Sequence, residues 1–494
     1  MRKKLPIFYS ALMLTGVNLL LRFVGTSFQV YLSSRIGAAG IGLLQLVMSV
    51  GSLAMVAGIG GIRTATMYLT AEELGRKKPQ NVVWVLSGCF LYSICFSGCV
   101  AALLYHFAPW VATVWIGDPR TVDALRLFSV FLPVTCLCGV MTGYFTAAQR
   151  IGTLAAVEVA EQLCSMILTL GALSLFAGND PVKSCICVIL GSALGSILTL
   201  VCLVLLRMQE HAPVGPRISI GKRLAQTALP LAAADDLKVG INTVENLMVP
   251  KRLALNTAVS NPLAAFGMVS GMIFPVIMFP AAILFGLTEL LVPELARCAA
   301  SGNKRRIQYL VKKGLRVALL YGIAMGGLLH LLAAPLCTKL YGNADAVSFM
   351  GAYALLVPML YCDIVTDAMT KGLGQQKICV RYNIITSFLD VLFLYILLPR
   401  YGMEGYYFSF LITHLINFIL SLRRLLKITI HTIPCSIPVL SAAAMLFGLW
   451  VSHYGSAPLW RGGSYLLILG SMLFLFGILR KEDILWFKGL IYKK

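Results

Sequence analysis

The sequence predicts an all-α integral membrane protein of about fourteen transmembrane helices, each needing a run of roughly 20 apolar residues. Three observations predict it. The 494 residues are 59% hydrophobic and 12% charged, against about half and a quarter in a soluble domain. Apolar runs recur along the whole chain, and the longest polar connections, around Arg207–Arg223 and Arg297–Arg306, are too short to fold alone. The basic residues gather in every second connection.

The runs, in order, are Ile7–Ser33, Gly40–Leu69, Val82–His106, Leu125–Ala148, Leu154–Phe176, Val182–Leu206 and Leu224–Val249. They continue with Leu263–Leu291, Leu315–Leu336, Met350–Thr370, Tyr382–Leu398, Gly405–Leu422, Ile437–Val451 and Ser464–Leu479. The first follows Met1-Arg2-Lys3-Lys4 as in a signal peptide, but it is too long for a signal h-region and reads as an uncleaved span. The seventh is the least apolar because of Asp235, Asp236, Lys238 and Glu245.

The net charge of +21 does not call for nucleic acid. The cations lie in short clusters between apolar runs, as in loops anchored at an anionic leaflet. Of the 41 basic residues, 29 fall in one alternating set of connections and eight in the other. The positive-inside rule then places both termini in the cytoplasm. The 14 cysteines sit almost entirely in apolar runs. The C-x-C pairs Cys136/Cys138 and Cys185/Cys187 have no companion in a polar loop, so no metal site is expected.

A weak internal repeat runs at about 221 to 227 residues, as in transporters built from two related bundles. Ala71–Lys78 after the second span corresponds to Pro293–Arg306 after the eighth. Gly143–Arg150 after the fourth corresponds to Lys371–Lys377 after the tenth. An even number of spans per half makes the repeats parallel. The division expected is 1–222 (spans 1 to 6), 223–430 (spans 7 to 12) and 431–494 (spans 13 and 14 with a cytoplasmic tail).

Polar residues inside the spans point to a polar interior and hence to transport. Nine acids lie there: Glu158, Glu161, Asp235, Asp236, Glu245, Glu289, Asp363, Asp367 and Asp390. A charge in hydrocarbon costs about 2.5–3.5 kcal/mol on insertion scales, so such groups face a cavity or a partner. On the first span Thr15, Asn18, Arg22, Thr26, Gln29 and Ser33 share one helix face. Arg22 keeps its charge and wants an anion, either a phosphate or one of those acids. Arg63 snorkels or makes a second phosphate contact. On the seventh span Asp235, Lys238, Asn242, Glu245 and Asn246 form a second stripe. Asp235 and Lys238 can pair, whereas Glu245 can take a proton or Na+ or reach Arg22. Asp363 and Asp367, one turn apart, repel unless solvated or joined by a cation, and Glu158 and Glu161 pose the same alternative. Prolines 133, 230, 275, 280 and 358 invite kinks.

Several stretches resemble the polysaccharide-flippase group, including its stage V sporulation protein B-like members. They are Arg22–Gly25 with Arg35–Gln45, the AEELGRKK stretch at Ala71–Lys78, Asn242–Leu253, and Leu290–Ile307. The similarity extends from the first span through the twelfth. It implies the fold of the multidrug/oligosaccharidyl-lipid/polysaccharide exporter superfamily: two six-helix lobes forming a V about a central cavity, here with two extra C-terminal helices. It implies alternating access in a bacterial cell membrane, possessing no cofactor beyond coupling to Na+ or H+. The lipid II flippase branch carries arginines in the first two spans that face a diphosphate, and Arg22 and Arg63 fall at similar places. The Asp235–Lys238 cluster departs from the family pattern.

The resulting expectation is a monomeric, non-enzymatic flippase for an undecaprenyl-diphosphate-linked saccharide or peptidoglycan precursor, in cell-wall or spore-cortex assembly. Substrate contacts are expected from Arg22, Arg63, Asn18, Gln29 and Asn242, and ion coupling from Glu245, Asp235, Asp363 and Asp367. The alternative is a cation-coupled multidrug efflux antiporter, which cavity arginines disfavour. An intramembrane glycosyltransferase or polymerase would want a larger outside domain or a metal-binding loop, and the six histidines are scattered.

Overall fold

The computed structural model describes residues 7–478 apart from 60, 179, 210–214, 217–219, 430–435 and 456. Among the described residues the chain is helical, without strands. Two of its continuous helical stretches, Leu20–Gly75 and Gln376–Thr429, are 56 and 54 residues long, more than twice what one crossing needs. Each is divided at a glycine. Gly37 (φ 72°, ψ 175°) separates α1 (7–36) from α2, which spans 38–59 and resumes as Ile62–Gly75. Gly402 (φ 56°, ψ −130°) separates α11 (376–401) from α12 (403–429).

Between them lie α3 (Val82–Trp110), α4 (Val122–Ala147), α5 (Ile151–Ala172), α6 (Pro181–Met208) and α7 (Gly221–Leu253). Then come α8, in two pieces at Pro262–Met278 and Ala282–Ala300, α9 (Lys304–Leu331) and α10 (Ala346–Gly372). After α12 follow α13 (Ser436–Ser452) and α14 (Pro458–Leu475). Each apolar run of the sequence thus has its helix. Pro133 and Pro358 sit inside continuous α4 and α10, while Pro280 lies at the interruption of α8. The second span is also interrupted, at Gly61 (φ 68°), which the sequence reading did not anticipate.

The repeat is written in the backbone. Positive φ occurs at Lys77 and Gly302, at Gly117 and Gly342, at Gln149 and Gly374, and at Gly178 and Gly402. Partners are 224 or 225 positions apart. Each α2, α4, α8 and α10 end closes by the same pair of bonds. Lys78 N donates to Glu73 O as Asn303 N donates to Cys298 O, and Arg150 N donates to Phe145 O as Gln375 N donates to Thr370 O. The C-terminal ends of α3 and α9 both lead into a π-turn, at Val111–Ile116 and Leu336–Leu340.

The chain forms two compact units. The first comprises Met1–Gly271 and Asp390–Tyr406. Its core joins Ile62, Leu69, Val85, Phe145, Leu203 and Leu224. Small residues bring helices together where hydrocarbon supplies no driving force: a Cβ on Gly42 would lie 2.3 Å from Leu263 O. At one end Arg223, in the first turn of α7, bonds Glu72 (2.6 Å) and Glu73 (3.1 Å), and Asn81 also donates to Glu73 (2.8 Å). Trp84 Nε1 donates to Gly215 O at 2.8 Å. The linker between the repeats is therefore tied to the α2–α3 connection.

The second unit comprises Met272–Leu389 and Tyr407–Lys494. Here α9 lies on α10 through Gly322 and Gly326, where a Cβ would meet Pro358 and Ala354 at 2.8 Å. The last two helices belong to this unit. Tyr465 of α14 is fully buried over Gly327 and donates to Ile323 O at 2.8 Å, and Ala444 and Met445 of α13 join the same cluster.

Candidate functional site

The polar stripe of α7 does two jobs within the first unit. Thr243 Oγ1 donates to Ser49 O (3.1 Å) and Asn246 Nδ2 to Ser49 Oγ (3.0 Å). These contacts fasten α7 to α2 and are structural. Glu245 instead meets Asp390 of α11 in a carboxyl–carboxyl hydrogen bond, with Tyr406 of α12 beside both. Asp390 is only 6% exposed. Two bare carboxylates in such contact would repel. Asn242 and Lys238 are exposed on the same helix. The side chain of Asp235 lies outside the described residues.

Arg22 is exposed on α1, and Gln29 of that helix reaches Gly271 O with Nε2 at 3.5 Å. The Asn18 side chain lies outside the described residues. Arg63 is the second residue of the helix that resumes after Gly61, is exposed, and lies within electrostatic reach of Glu158. Glu161 is held to α6, accepting from Thr199 Oγ1 at 2.7 Å and from Ser196 Oγ at 3.5 Å.

In the second unit the two aspartates of α10 have separate partners. Asn417 Nδ2 donates to Asp363 Oδ2 at 3.2 Å, whereas Lys371 Nζ stands 2.5 Å from Asp367 Oδ2. The i,i+4 ion pair supplies Asp367 with its own counter-charge. The sequence reading missed three contributors: Asp390, which it counted among the intramembrane acids without a partner, Asn417, and Lys371. Only the last was within reach of local spacing.

Comparison with known proteins bears on the fold rather than on these side chains. Residues 14–170 match the MatE family. Stage V sporulation protein B of Bacillus subtilis (strain 168) is 22% identical over 408 residues, covering 80% of this chain and 78% of that protein. Lipid II flippase MurJ of the same organism is 23% identical over 406 residues, covering 73% and 71%. A structure described as lipid II flippase MurJ in an inward closed conformation superposes with a TM-score of 0.70 at 15% identity, over 96% of this chain and 100% of that one. The chain is thus similar, in sequence and in fold, to flippases of the multidrug/oligosaccharidyl-lipid/polysaccharide exporter superfamily. An inward-facing multidrug resistance MATE transporter of that superfamily superposes at 0.65 with 12% identity, over 86% of this chain and 100% of its own. The fold class of this chain is therefore that of a multi-pass helical transporter.

Proposed function

We propose that this chain carries the head group of a lipid-linked saccharide or peptidoglycan precursor, of the undecaprenyl-diphosphate type, across a bacterial cell membrane. The observation that carries the reading is the pair of exposed arginines, Arg22 and Arg63, within the helical stretch Leu20–Gly75 that is apolar enough to cross a membrane. A diphosphate needs a fixed cation to leave water, and a guanidinium offers two oxygens a matched fork without losing its charge. Arg22 is the principal clamp, with Arg63, Gln29, Asn18 and Asn242 as further contacts. The repeats 1–222 and 223–430 act as alternating lobes, 431–494 completes the second, and both termini lie in the cytoplasm. The protein works as a monomer and performs no bond chemistry.

Glu245 with Asp390 supplies the coupling. A proton or Na+ held between the carboxyls leaves the pair with one negative charge, and its release raises that to two, which compete more strongly for Arg22. Asp363 and Asp235 are secondary candidates for the same role. Cation-coupled drug efflux is the second reading, favoured by this acid pair and by the likeness to multidrug transporters. The two separate in cells depleted of the protein. Flipping predicts that a lipid-linked precursor accumulates on the cytoplasmic face while cationic drug tolerance is unchanged. Lost drug tolerance with no accumulated precursor would support efflux.

A further inference from the structure

The second unit contains a cavity of about 360 Å³ enclosed by α9, α10, α12 and α13. Its wall includes Leu319, Pro358, Phe418 and Ile437, and the side chains of Lys312 and Arg316 also border it. Neither is needed by the flipping reading. Lys312, Arg316 and Leu319 recur at i, i+4 and i+7, so one face of α9 passes from charge to hydrocarbon. The charged end lies toward Lys304, where the basic connections gather. The anchored repeat shows that these cations are particular to this unit. With the 225-residue offset that relates Lys77 to Gly302 and Gly117 to Gly342, Lys312 corresponds to Ser87 and Arg316 to Leu91.

We propose that this cavity binds an anionic phospholipid from the leaflet facing the basic connections. One acyl chain fills the apolar space, and the phosphate lies at Lys312 and Arg316. The volume falls in the range of ligand pockets, about 300–1,000 Å³. Hydrocarbon is the solvent available to a cavity between membrane helices, so its apolar wall selects a chain. The two cations select the head: a phosphodiester accepts a bidentate guanidinium and a neighbouring ammonium. A zwitterionic head brings its own ammonium to the same place and is repelled. Basic pockets between helices at a membrane face bind anionic head groups on these terms. A saccharide head needs hydrogen-bonding groups across its hydroxyls, and apart from the two cations this wall is apolar. That is why a phospholipid is assigned here rather than the tail of the transported lipid.

The test is native mass spectrometry of the full chain after incubation with vesicles of equal phosphatidylglycerol and phosphatidylethanolamine. The wild type should retain phosphatidylglycerol at least fivefold over phosphatidylethanolamine. Lys312→Gln/Arg316→Gln should lose that preference, while Lys304→Gln/Arg305→Gln, on the same helix outside the cavity, should keep it. Leu319→Trp fills the cavity without touching the charges and should lower phosphatidylglycerol retention to the same degree, which decides the matter if the double variant does not fold. No preference in the wild type, or full retention in the cavity variants, overturns the proposal. So does displacement of phosphatidylglycerol by added undecaprenyl phosphate at equal concentration, which would give the cavity to the transported lipid's tail.

Discussion

The α2–α3 and α8–α9 connections fold identically and are built from different residues. Both close a helix with a left-handed residue 225 positions apart, yet the first uses Lys77 and the second Gly302. The α4–α5 and α10–α11 connections repeat the contrast with Gln149 and Gly374. An L-residue in that region costs roughly 1–2 kcal/mol. The paired bonds that satisfy the last carbonyls outweigh this cost. The duplicated feature is therefore the turn geometry rather than the residue. Polar residues inside the spans behave oppositely: on the same offset Asp363 corresponds to Cys138, and Glu158 to Asn383. Each half keeps the shared scaffold and carries its own charges.

The comparison can be broken most severely at Gly178 and Gly402, whose φ/ψ values nearly coincide. Gly402→Ala should destabilise by about 3 kcal/mol and Gly178→Ala by about 2, from backbone strain of order 1–3 kcal/mol. The difference arises because a Cβ at 402 lies 3.2 Å from Val259 Cγ2, while 178 opens on space. Thermal unfolding in detergent should show the larger drop for Gly402→Ala; the reverse order would contradict the crowding account.

A smaller effect sharpens the contrast between the helix-closing turns. Gly302→Lys and Gly374→Gln should each cost about 1 kcal/mol, since no neighbour lies within 4 Å of either position. Lys77→Gly and Gln149→Gly should each gain up to about 1 kcal/mol, less what the freer unfolded chain takes back. Unfolding midpoints that fall in all four variants would show that the side chains, not the turn, matter there.

The smallest effect concerns two helix starts. Asp118 Oδ1 accepts from Arg120 N, and Asn343 Oδ1 accepts from Asp345 N, both at 3.0 Å and again 225 apart. Either change to Ala should cost about 1 kcal/mol. Only the first depends on pH. Hydrogen bonds from Arg120 hold the Asp118 carboxyl below the usual carboxylate range. Its contribution is complete above the unfolded value near 3.8 and disappears as pH falls through the lower folded value. Stability scans from pH 6 downward should therefore show the Asp118→Ala penalty beginning to shrink only below about 3.8, while the Asn343→Ala penalty is kept.

The spans were legible because hydrophobic length and charge alternation act locally along the chain. The extra break at Gly61 was not, since it interrupts an apolar run without changing its hydropathy. Nor was the seat of α13 and α14, which depends on Tyr465 reaching Ile323 O from a distant helix. The candidate site divides in the same way. Glu245 announced itself as an acid in a span, but its contact with Asp390 depends on the folding of α7 against α11. Asp363 found Asn417 by the same long-range route. Lys371 stood one turn from Asp367 and could have been paired from spacing alone.

Reconstitution tests the central claim most directly. Wild-type protein, Arg22→Ala and Arg22→Lys are placed in vesicles carrying a lipid-linked saccharide diphosphate, and head-group translocation is followed with time. The account predicts flipping by the wild type, loss of it in Arg22→Ala with folding intact, and partial activity in Arg22→Lys, where a point charge replaces a fork. Translocation by Arg22→Ala at the wild-type rate would contradict the phosphate clamp, and a wild type that leaves the head group on its original side would contradict the function itself.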